Sequence, residues 1–206
     1  ERIDPAQKQL QFSDGGSLTY DKLVLATGSL PNKFGWPGQD LDGVQGMVSK
    51  QDLDALEARS PDIIHAVIVG CGVIGIELAE MLHSRHIPVT FLVREKSFWS
   101  NALPAEESQL VNQEIHRTEG IDLQLGSEMK EILSDEQGKG RAVVTKEGEE
   151  IACQFVGLTA GDHANTSLAE CTEIETNRGF LVDEYLQTSV PDIYAAGECA
   201  ELRTPA

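Results

Sequence analysis

A glycine-rich turn between an apolar run and an amphipathic segment restricts the fold of this chain more than any other feature. Ala66-Val67-Ile68-Val69 is typical of a buried parallel strand, and Gly70-Cys71-Gly72-Val73-Ile74-Gly75 follows it directly. From residue 73 to residue 86, apolar side chains recur with the spacing of one helix face. The order of strand, glycine turn and helix predicts a βα unit of a parallel α/β sheet.

The spacing of the glycines, G-x-G-x-x-G, indicates a dinucleotide-binding turn in this context. Gly70 permits a tight turn, Gly72 lets the backbone approach a pyrophosphate, and Gly75 lets the helix pack close to the strands. The N–H groups and the dipole at the helix start attract phosphate charge. The alternative is a strand–turn–helix with a structural role only. The predicted phosphate-binding residues are Gly70, Gly72, Val73, Ile74 and Gly75.

The end of the next predicted strand, 89–93, bears on the choice between NAD and NADP. An acidic residue there accepts hydrogen bonds from the adenosine ribose 2′-OH, whereas an arginine accommodates a 2′-phosphate. Val93 lies 18 residues after Gly75, and Arg94 and Glu95 follow it. Because Arg94 suits a phosphate and Glu95 suits a hydroxyl, the prediction is NADPH, or the use of both coenzymes. The alternative is that Arg94 and Glu95 form a solvated loop pair.

The pattern on both sides of this unit extends the α/β prediction. A capping-box spacing from Ser49 to Asp52 predicts a helix over residues 50–58. The turn Asp14-Gly15-Gly16, between the runs 9–12 and 22–26, predicts a hairpin. Further predicted elements are a helix (105–119), a strand (121–125), an antiparallel insert (142–145 with 151–156), two short strands (179–182 and 192–197) and a helix after Gly197.

Charge and apolar content exclude several classes of function. The chain has 16 Lys and Arg against 34 Asp and Glu, which gives a net charge of −18. Nucleic acids and anionic membrane surfaces are bound through clustered basic residues, so neither is expected as a partner. No stretch approaches the ~20 apolar residues of a membrane span. No secretory signal is recognised either, and the cysteines, interpreted as reduced thiols, indicate a cytoplasmic protein.

Side chains that could bind a metal or act as nucleophiles are scattered along the sequence. His83 and His86 share one helix face, but no third ligand is evident, so no metal site is expected. Trp36 and Trp99 either line a cleft between domains or cover a core. The cysteines have neither metal-binding nor redox spacing and are expected to be reduced thiols: Cys71, Cys153, Cys171 and Cys199.

Five segments of the chain together resemble one protein family. Their order and spacing resemble those of the FAD-dependent pyridine nucleotide-disulfide oxidoreductases, which are two-dinucleotide-binding flavoprotein reductases. The similarity covers essentially the whole chain. It is greatest to a bacterial branch that includes NADH oxidases, rubredoxin and ferredoxin reductases, and the flavin part of nitrite reductase. The segments are Leu23-Val24-Leu25-Ala26-Thr27-Gly28-Ser29, the glycine turn with Glu77, residues 157–165, Arg178-Gly179-Phe180-Leu181-Val182-Asp183 and Asp192-Ile193-Tyr194-Ala195-Ala196-Gly197-Glu198.

That family inserts an NAD(P)-binding domain into its FAD-binding domain. The resemblance therefore implies the tail of the first FAD-binding part at 1–47, a Rossmann-like NAD(P)-binding domain at 48–157, and the start of the second FAD-binding part at 158–206. It implies that Glu77 lies close to the nicotinamide, and that Gly161 belongs to a loop on the nicotinamide side. The residues that it places near FAD are Ala26, Thr27, Gly28, Gly197 and Glu198.

The resemblance also implies an activity for the intact protein. Hydride would pass from NAD(P)H to FAD and then to an unidentified acceptor, either a small molecule or a redox protein, and no catalytic side chain is required. The amino-terminal FAD motif and the carboxy-terminal interface domain of the family are absent. This chain is therefore expected not to retain FAD tightly. The alternative functions are a non-catalytic dinucleotide-binding module and a flavin-independent NAD(P) dehydrogenase. The predicted partners include a second copy of the chain, in a homodimer.

Overall fold

The computed structural model of the chain describes residues 2–203. Within that range the chain forms short strands and three α-helices. In chain order these are β1 (Arg2–Asp4), β2 (Gln9–Gln11), β3 (Ser17–Thr19), β4 (Leu23–Leu25), β5 (Ser29–Pro31), β6 (Val44–Gln45), α1 (Lys50–Arg59), β7 (Ala66–Val69), α2 (Val73–His83), β8 (Val89–Val93), α3 (Ala105–Arg117), β9 (Ile121–Leu125), β10 (Met129–Ser134), β11 (Gly140–Thr145), β12 (Glu150–Ala152), β13 (Phe155–Leu158), β14 (Asp162–Ala164), β15 (Phe180–Val182), β16 (Ile193–Ala195) and β17 (Ala200–Leu202).

The chain divides into two compact units. One contains the residues up to Leu30 together with those from Asp162 onward, and the other is Pro31–Gly161. We refer to them as the split unit and the central unit. The central unit extends beyond residues 48–157, because β6 lies before residue 48 and pairs with β13 in the same sheet.

The central unit is built on a five-stranded sheet in the order β6-β13-β7-β8-β9, with every pairing parallel. The helices α2 and α3 connect β7 to β8 and β8 to β9. Every residue of β7, β8 and β13 is buried, as expected for parallel strands that are covered on both faces. One face packs against the helices and the other against a small antiparallel sheet. The predicted α/β fold with a parallel sheet and an antiparallel insert is confirmed.

The order of these strands creates a switch in the direction of chain crossover beside β7. From β7 the chain passes to β8 and β9 on one side, and it later returns to β13 on the other side. In open α/β sheets, ligands bind in the crevice outside the carboxyl ends of strands at such a position. The fold therefore places the most favourable ligand-binding edge between the ends of β7 and β13.

Local sequence signals explain where the helices begin and end. At the start of α1, Ser49 and Asp52 form the predicted reciprocal capping box. The helix α2 ends at His83, earlier than the predicted residue 86, because His86 adopts a left-handed conformation with φ of 59°. In addition, Ile87 donates its backbone N–H to the Leu82 carbonyl, which closes the helix end.

The antiparallel insert differs in detail from its prediction. Its three strands are ordered β10-β11-β12, and β10 was not predicted. The run 151–156, predicted as one strand, divides into β12 and β13. The division lies at Gln154, whose side-chain carbonyl accepts the backbone N–H groups of Ile64 and His65. This bonding separates the insert strand β12 from the parallel strand β13.

The split unit contains short sheets around a core of its own. The hairpin predicted at Asp14-Gly15-Gly16 is confirmed, but β2 pairs with β3 and not with residues 22–26. Instead, β4 pairs in parallel with β16. The helix predicted after Gly197 is wrong for residues 200–202, which form β17 and pair in parallel with β15. The thiol of the buried Cys199 can donate its single proton to the carbonyl of Leu25 or of Ala196, which lie 3.4 and 3.3 Å from Sγ.

Candidate functional site

The three motif glycines of the turn between β7 and α2 differ in their surroundings. Gly70 has a φ of 123°, and a Cβ there would overlap the backbone of Thr159 and Ala160. A Cβ on Gly75 would lie 2.9 Å from Thr159 Oγ1, so Gly75 allows α2 to pack against the sheet. A Cβ on Gly72 would have its nearest neighbour at 3.8 Å, so the space beside Gly72 is open. Gly70 and Gly75 are required by the protein itself, whereas Gly72 leaves room for a ligand.

Within residues 2–203, no side chain caps the N–H donors at the start of α2. Its N-cap is Gly72, which has no side chain to accept a hydrogen bond, and the first turn contains no acidic residue. By contrast, Ser49 and Asp52 cap the start of α1. The first N–H groups of a helix lack intrahelical acceptors and, with the helix dipole, favour an anion. This helix start is therefore suited to a phosphate group.

A cavity of about 630 Å³ opens at the carboxyl ends of the parallel strands. It lies beside the glycine turn and receives residues that follow β7, β8, β9 and β13. This is the edge of the sheet at which the direction of chain crossover changes, between β13 and β7. The residues that line it are Phe34, Trp36, Val69, Gly70, Cys71, Gly72, Leu92, Arg94, Glu95, Trp99, Asn101, Ala102, Ser127, Glu128, Met129, Thr159, Ala160 and Gly161.

A chain of polar contacts runs along one wall of this cavity. Arg94 Nη2 lies 3.0 Å from Glu95 Oε1, and the Cys71 thiol donates to Glu95 Oε2 at 3.6 Å. Partial burial alone would raise the pKa of Glu95, but hydrogen bonds and the charge of Arg94 outweigh it, so this pKa lies below its ordinary value. Burial raises the pKa of the Cys71 thiol, and the carboxylate of Glu95 adds to that increase. Cys71 is therefore a neutral thiol and not a nucleophile at neutral pH.

The predicted phosphate and ribose residues divide between the cavity and the interior. Five of the predicted residues line the cavity: Gly70, Gly72, Arg94, Glu95 and Gly161. Among the rest, Gly75 and Val93 are buried, Ile74 is half-buried, and Val73 and Glu77 are exposed on α2. None of these five contributes to the cavity wall within the described part of the chain.

Several cavity residues were not predicted as site residues, because no local motif marks them. Thr159 follows β13 and is brought beside the glycine turn, where its N–H and hydroxyl both donate to the Val69 carbonyl, at 2.9 and 3.1 Å. The two tryptophans, Trp36 and Trp99, line the cavity and also pack against core clusters on different faces of the sheet. Their aromatic character in Gly- and Ser-rich loops was the one signal available in the sequence.

The predicted FAD-proximal residues come together at one edge of the split unit. The parallel strands β4 and β16 end side by side, with Leu25 opposite Ala195. Ala26, Thr27 and Gly28 therefore follow one strand, while Gly197 and Glu198 follow its neighbour. Both glycines have positive φ, 64° and 81°, and a Cβ on either would meet open space.

Hydrogen bonds fix this edge of the split unit. Thr27 Oγ1 donates to the Asn165 carbonyl at 2.5 Å, and Asn165 donates its N–H to the Gly28 carbonyl at 2.8 Å. Glu198 Oε2 accepts a hydrogen bond from Ser29 Oγ at 2.9 Å. The two segments thus form one ordered edge whose glycines leave space for a ligand.

The cysteines and the possible metal ligands are the other groups with potential chemistry. All four cysteines are free; Cys153 and Cys199 are buried and Cys171 is exposed. Among residues 2–203, no group of three or more His, Cys, Asp or Glu side chains is arranged to hold a metal ion. No helix within that range is long and apolar enough to cross a membrane.

Comparison with known proteins assigns the family. A sequence model of the family described as pyridine nucleotide-disulphide oxidoreductase matches residues 1–206. The chain belongs to this family. The resemblance stated from the sequence is therefore confirmed, and the family is one of oxidoreductases that use a pyridine nucleotide. Relatives and solved structures support FAD and NAD(P)H as the cofactors of the family.

Individual relatives agree with this assignment. The chain is 34% identical over 202 residues to the nitrite reductase [NAD(P)H] of Bacillus subtilis, covering 98% of this chain and 25% of that protein. A ferredoxin reductase structure from Rhodopseudomonas palustris matches with a TM-score of 0.87 and 27% identity, covering 99% of this chain and 50% of the other. An FAD-dependent pyridine nucleotide-disulphide oxidoreductase structure from Desulfovibrio vulgaris matches with a TM-score of 0.84 and 30% identity, covering 97% of this chain and 52% of the other. The chain thus spans a quarter to a half of the length of such relatives.

Proposed function

We propose that the central unit binds a nicotinamide dinucleotide, and that the chain acts within an NAD(P)H-dependent flavoprotein oxidoreductase. The observation that carries the proposal is the uncapped start of α2, which opens into the cavity at the switch point of the sheet. Open space beside Gly72 allows a diphosphate to approach the backbone there. Family membership supports the same interpretation, because the family is defined by pyridine nucleotide chemistry.

The proposal assigns the predicted residues to parts of the dinucleotide. The pyrophosphate meets the backbone of the turn and of the first helical residues, namely Gly70, Gly72, Val73, Ile74 and Gly75. The adenosine ribose meets the end of β8, where Arg94 and Glu95 follow the buried Val93. Gly161 after β13, with Glu77 on α2, belongs to the nicotinamide end. We further propose residues 48–157 as the core of the NAD(P)-binding domain.

Arg94 supports NADPH as the preferred coenzyme. One solved neighbour is a water-forming NADH oxidase from Lactobacillus brevis, and another is its engineered NADPH oxidase variant bound to NADPH. One of the substitutions in that variant replaces a glycine. The aspartate 18 residues after this glycine is replaced by alanine, and the residue 19 positions after it is replaced by arginine. Val93 and Arg94 follow Gly75 at the same distances. Arg94 is also exposed and lines the cavity, so a 2′-phosphate can reach it.

We propose that the paired ends of β4 and β16 form part of an FAD site, and that segments 1–47 and 158–206 are parts of an FAD-binding domain. Ala26, Thr27, Gly28, Gly197 and Glu198 would contact the flavin cofactor there. Because they form only one edge, we expect the chain to be purified without bound flavin. An absorbance band near 450 nm that remains after gel filtration would contradict that expectation.

The protein's contribution to the reaction is binding and orientation, since the bound cofactors supply the hydride chemistry. The raised pKa of the Cys71 thiol in the cavity wall agrees with that division of roles. Names of relatives include acceptors of two kinds: nitrite reductase names a small molecule, whereas ferredoxin and rhodocoxin reductases name redox proteins. We propose an acceptor of one of these two kinds. We also propose a cytoplasmic location, in keeping with the free cysteines. The proposed assembly is a homodimer, which light scattering tests.

Calorimetric titration with NADPH and with NADH tests the proposal. We expect at least one of them to bind with a Kd between about 1 µM and 1 mM, the range usual for such substrates. ADP-ribose should compete, because it carries the same pyrophosphate and adenosine. Failure of both coenzymes to bind at about 1 mM would contradict the assignment. Oxidation of an alcohol by NADP without added flavin would favour a flavin-independent dehydrogenase instead.

A further inference from the structure

Trp99 stands in a loop that the rest of the central unit holds in place. The loop connects β8 to α3, and its neighbour Phe98 is buried. Phe98 donates its N–H to Asn112 Oδ1 at 2.8 Å, and its carbonyl accepts from Ser108 Oγ at 2.9 Å. Both partners lie on α3, so this helix holds the loop in place through hydrogen bonds to Phe98. These contacts of Phe98 therefore hold Trp99 at its position in the cavity wall.

The backbone of Trp99 adopts a conformation that a bulky residue rarely takes. Its φ is 59°, in the left-handed region. Its carbonyl accepts the N–H groups of Ala102 and Leu103 at 3.0 and 2.9 Å, which maintains the turn. Such strain persists only where the surroundings impose it, and it concentrates at functional sites. Here the conformation leaves the indole half-buried on the cavity wall, with one edge against Phe98 at a centroid distance of 6.3 Å.

The second tryptophan stands on the other side of the same cavity. Trp36 packs with the core cluster that includes Val69 and Leu92, whereas Trp99 packs with the cluster that includes Phe91. Because alternate residues of a strand point to opposite faces, the two indoles belong to opposite faces of the sheet. Both tryptophans of the chain therefore flank the cavity at its carboxyl edge. Flat apolar walls of this kind suit a planar heteroaromatic ring.

The order of sites along the sheet edge identifies which ring lies near Trp99. The phosphate-binding turn follows β7, and the ribose-binding pair Arg94 and Glu95 follows the adjacent β8. Continuing in the same direction, the next part of a dinucleotide is the adenine base. Trp99 lies five residues beyond Arg94 and lines the same cavity wall as Cys71 of the turn. We infer that Trp99 binds the dinucleotide by stacking on its adenine, an inference that rests on the proposed dinucleotide site.

Fragments of the dinucleotide test this inference on the 206-residue chain. In Trp99→Ala, affinity for ADP and NADPH should fall by about 5- to 100-fold, the range for losing one base–aromatic stack. Affinity for nicotinamide mononucleotide should change by less than about 2-fold, because it contains no adenine. Trp99→Phe should restore ADP affinity to within about 3-fold of wild type, because a ring is retained. Equal losses for ADP and nicotinamide mononucleotide would overturn the inference.

Fluorescence provides a readout that does not depend on the alanine variant folding. In Trp36→Phe, Trp99 is the remaining tryptophan, so ADP should change its emission with the Kd measured by calorimetry, and nicotinamide mononucleotide should not. No change of Trp99 emission at saturating ADP would overturn the inference while the dinucleotide site stands. If wild type binds neither ADP nor NADPH, the proposed function itself fails.

Discussion

The carbonyl oxygen of Thr159 occupies the space that a side chain on Gly70 would need. Thr159 follows β13, and Gly70 follows β7, so this contact joins two strands that are neighbours in the sheet but far apart in sequence. In the same turn, Gly72 is free of such contacts. This difference separates Gly70, where the fold itself excludes a side chain, from Gly72, where the fold leaves room for one.

Alanine substitution at these two glycines should therefore give opposite results. Gly70→Ala forces an L-residue to a φ of 123° and against the Thr159 backbone, so the free energy of unfolding should fall by about 2–4 kcal/mol. Gly72→Ala fits its extended backbone, and stability should change by less than about 1 kcal/mol. Its methyl group should nevertheless weaken NADPH binding by about 10-fold or more. Urea unfolding and calorimetry distinguish the two. Unchanged NADPH affinity in Gly72→Ala would count against the phosphate assignment.

Removal of the Arg94 side chain should lower the affinity for NADPH much more than the affinity for NADH. Arg94→Ala should weaken NADPH binding by about 10- to 100-fold, because a hydrogen bond to a charged group contributes about 1.5–3 kcal/mol. NADH affinity should change by less than about 3-fold, since it lacks the 2′-phosphate. The matched control is Arg141→Ala, which removes the same charge from an exposed ion pair with Glu150 outside the cavity. Parallel losses for NADH and NADPH would show that Arg94 does not contact a 2′-phosphate.

The cysteines should differ widely in their reaction with a disulfide reagent at pH 8. Cys171 is exposed and should react rapidly. Cys71 is half-buried with a raised pKa, so it should react slowly, and NADPH should slow it further because the proposed NADPH site includes the cavity that Cys71 lines. Burial raises the pKa of Cys153 to about 12, so it and the buried Cys199 should react only after unfolding. Mass mapping of the labelled thiols checks each assignment, and Cys171→Ser should remove the fast phase. Rapid labelling of Cys153 would contradict the buried core.

The carboxylate of Glu201 should make the split unit sensitive to acid. It accepts backbone N–H groups from Gly179 and Arg178, at 3.0 and 2.7 Å, and a side-chain N–H from Asn177. These hydrogen bonds lower the pKa of Glu201 below its ordinary value of 4.5, and the one from Gly179 has the largest effect on it. Because the folded pKa is the lower one, the stabilisation is complete above the unfolded pKa and is lost as pH falls through the folded pKa.

Denaturation across pH 3–7 measures this contribution. Glu201→Gln should be less stable than wild type at pH 7, and the two stabilities should converge as the pH falls below the folded pKa. Glu184→Gln, which alters an exposed carboxylate of the same unit, should follow the wild-type curve. A constant difference between wild type and Glu201→Gln at every pH would refute the role of ionisation.

Elements whose signals are local could be predicted from the residues alone. The run before Gly70, the helix after Gly72 and the capping box of Ser49 and Asp52 depend on residues within one or two turns of each other. For that reason the strand, the glycine turn and the helix that follows could be predicted. Local patterns did less well where one run serves two sheets, as at Gln154, or where residues pair with a strand distant in sequence, as β17 does with β15.

Which residues share the cavity with the turn depends on how the strands assemble into the sheet. Trp36, Trp99 and Thr159 come from three separate loops and meet because β13 lies beside β7 and the strands all end at one edge. Strand order is set by how apolar faces pack across the whole unit, and no short sequence pattern records it. The turn was therefore predictable from its own residues, whereas the walls around it required the assembled sheet.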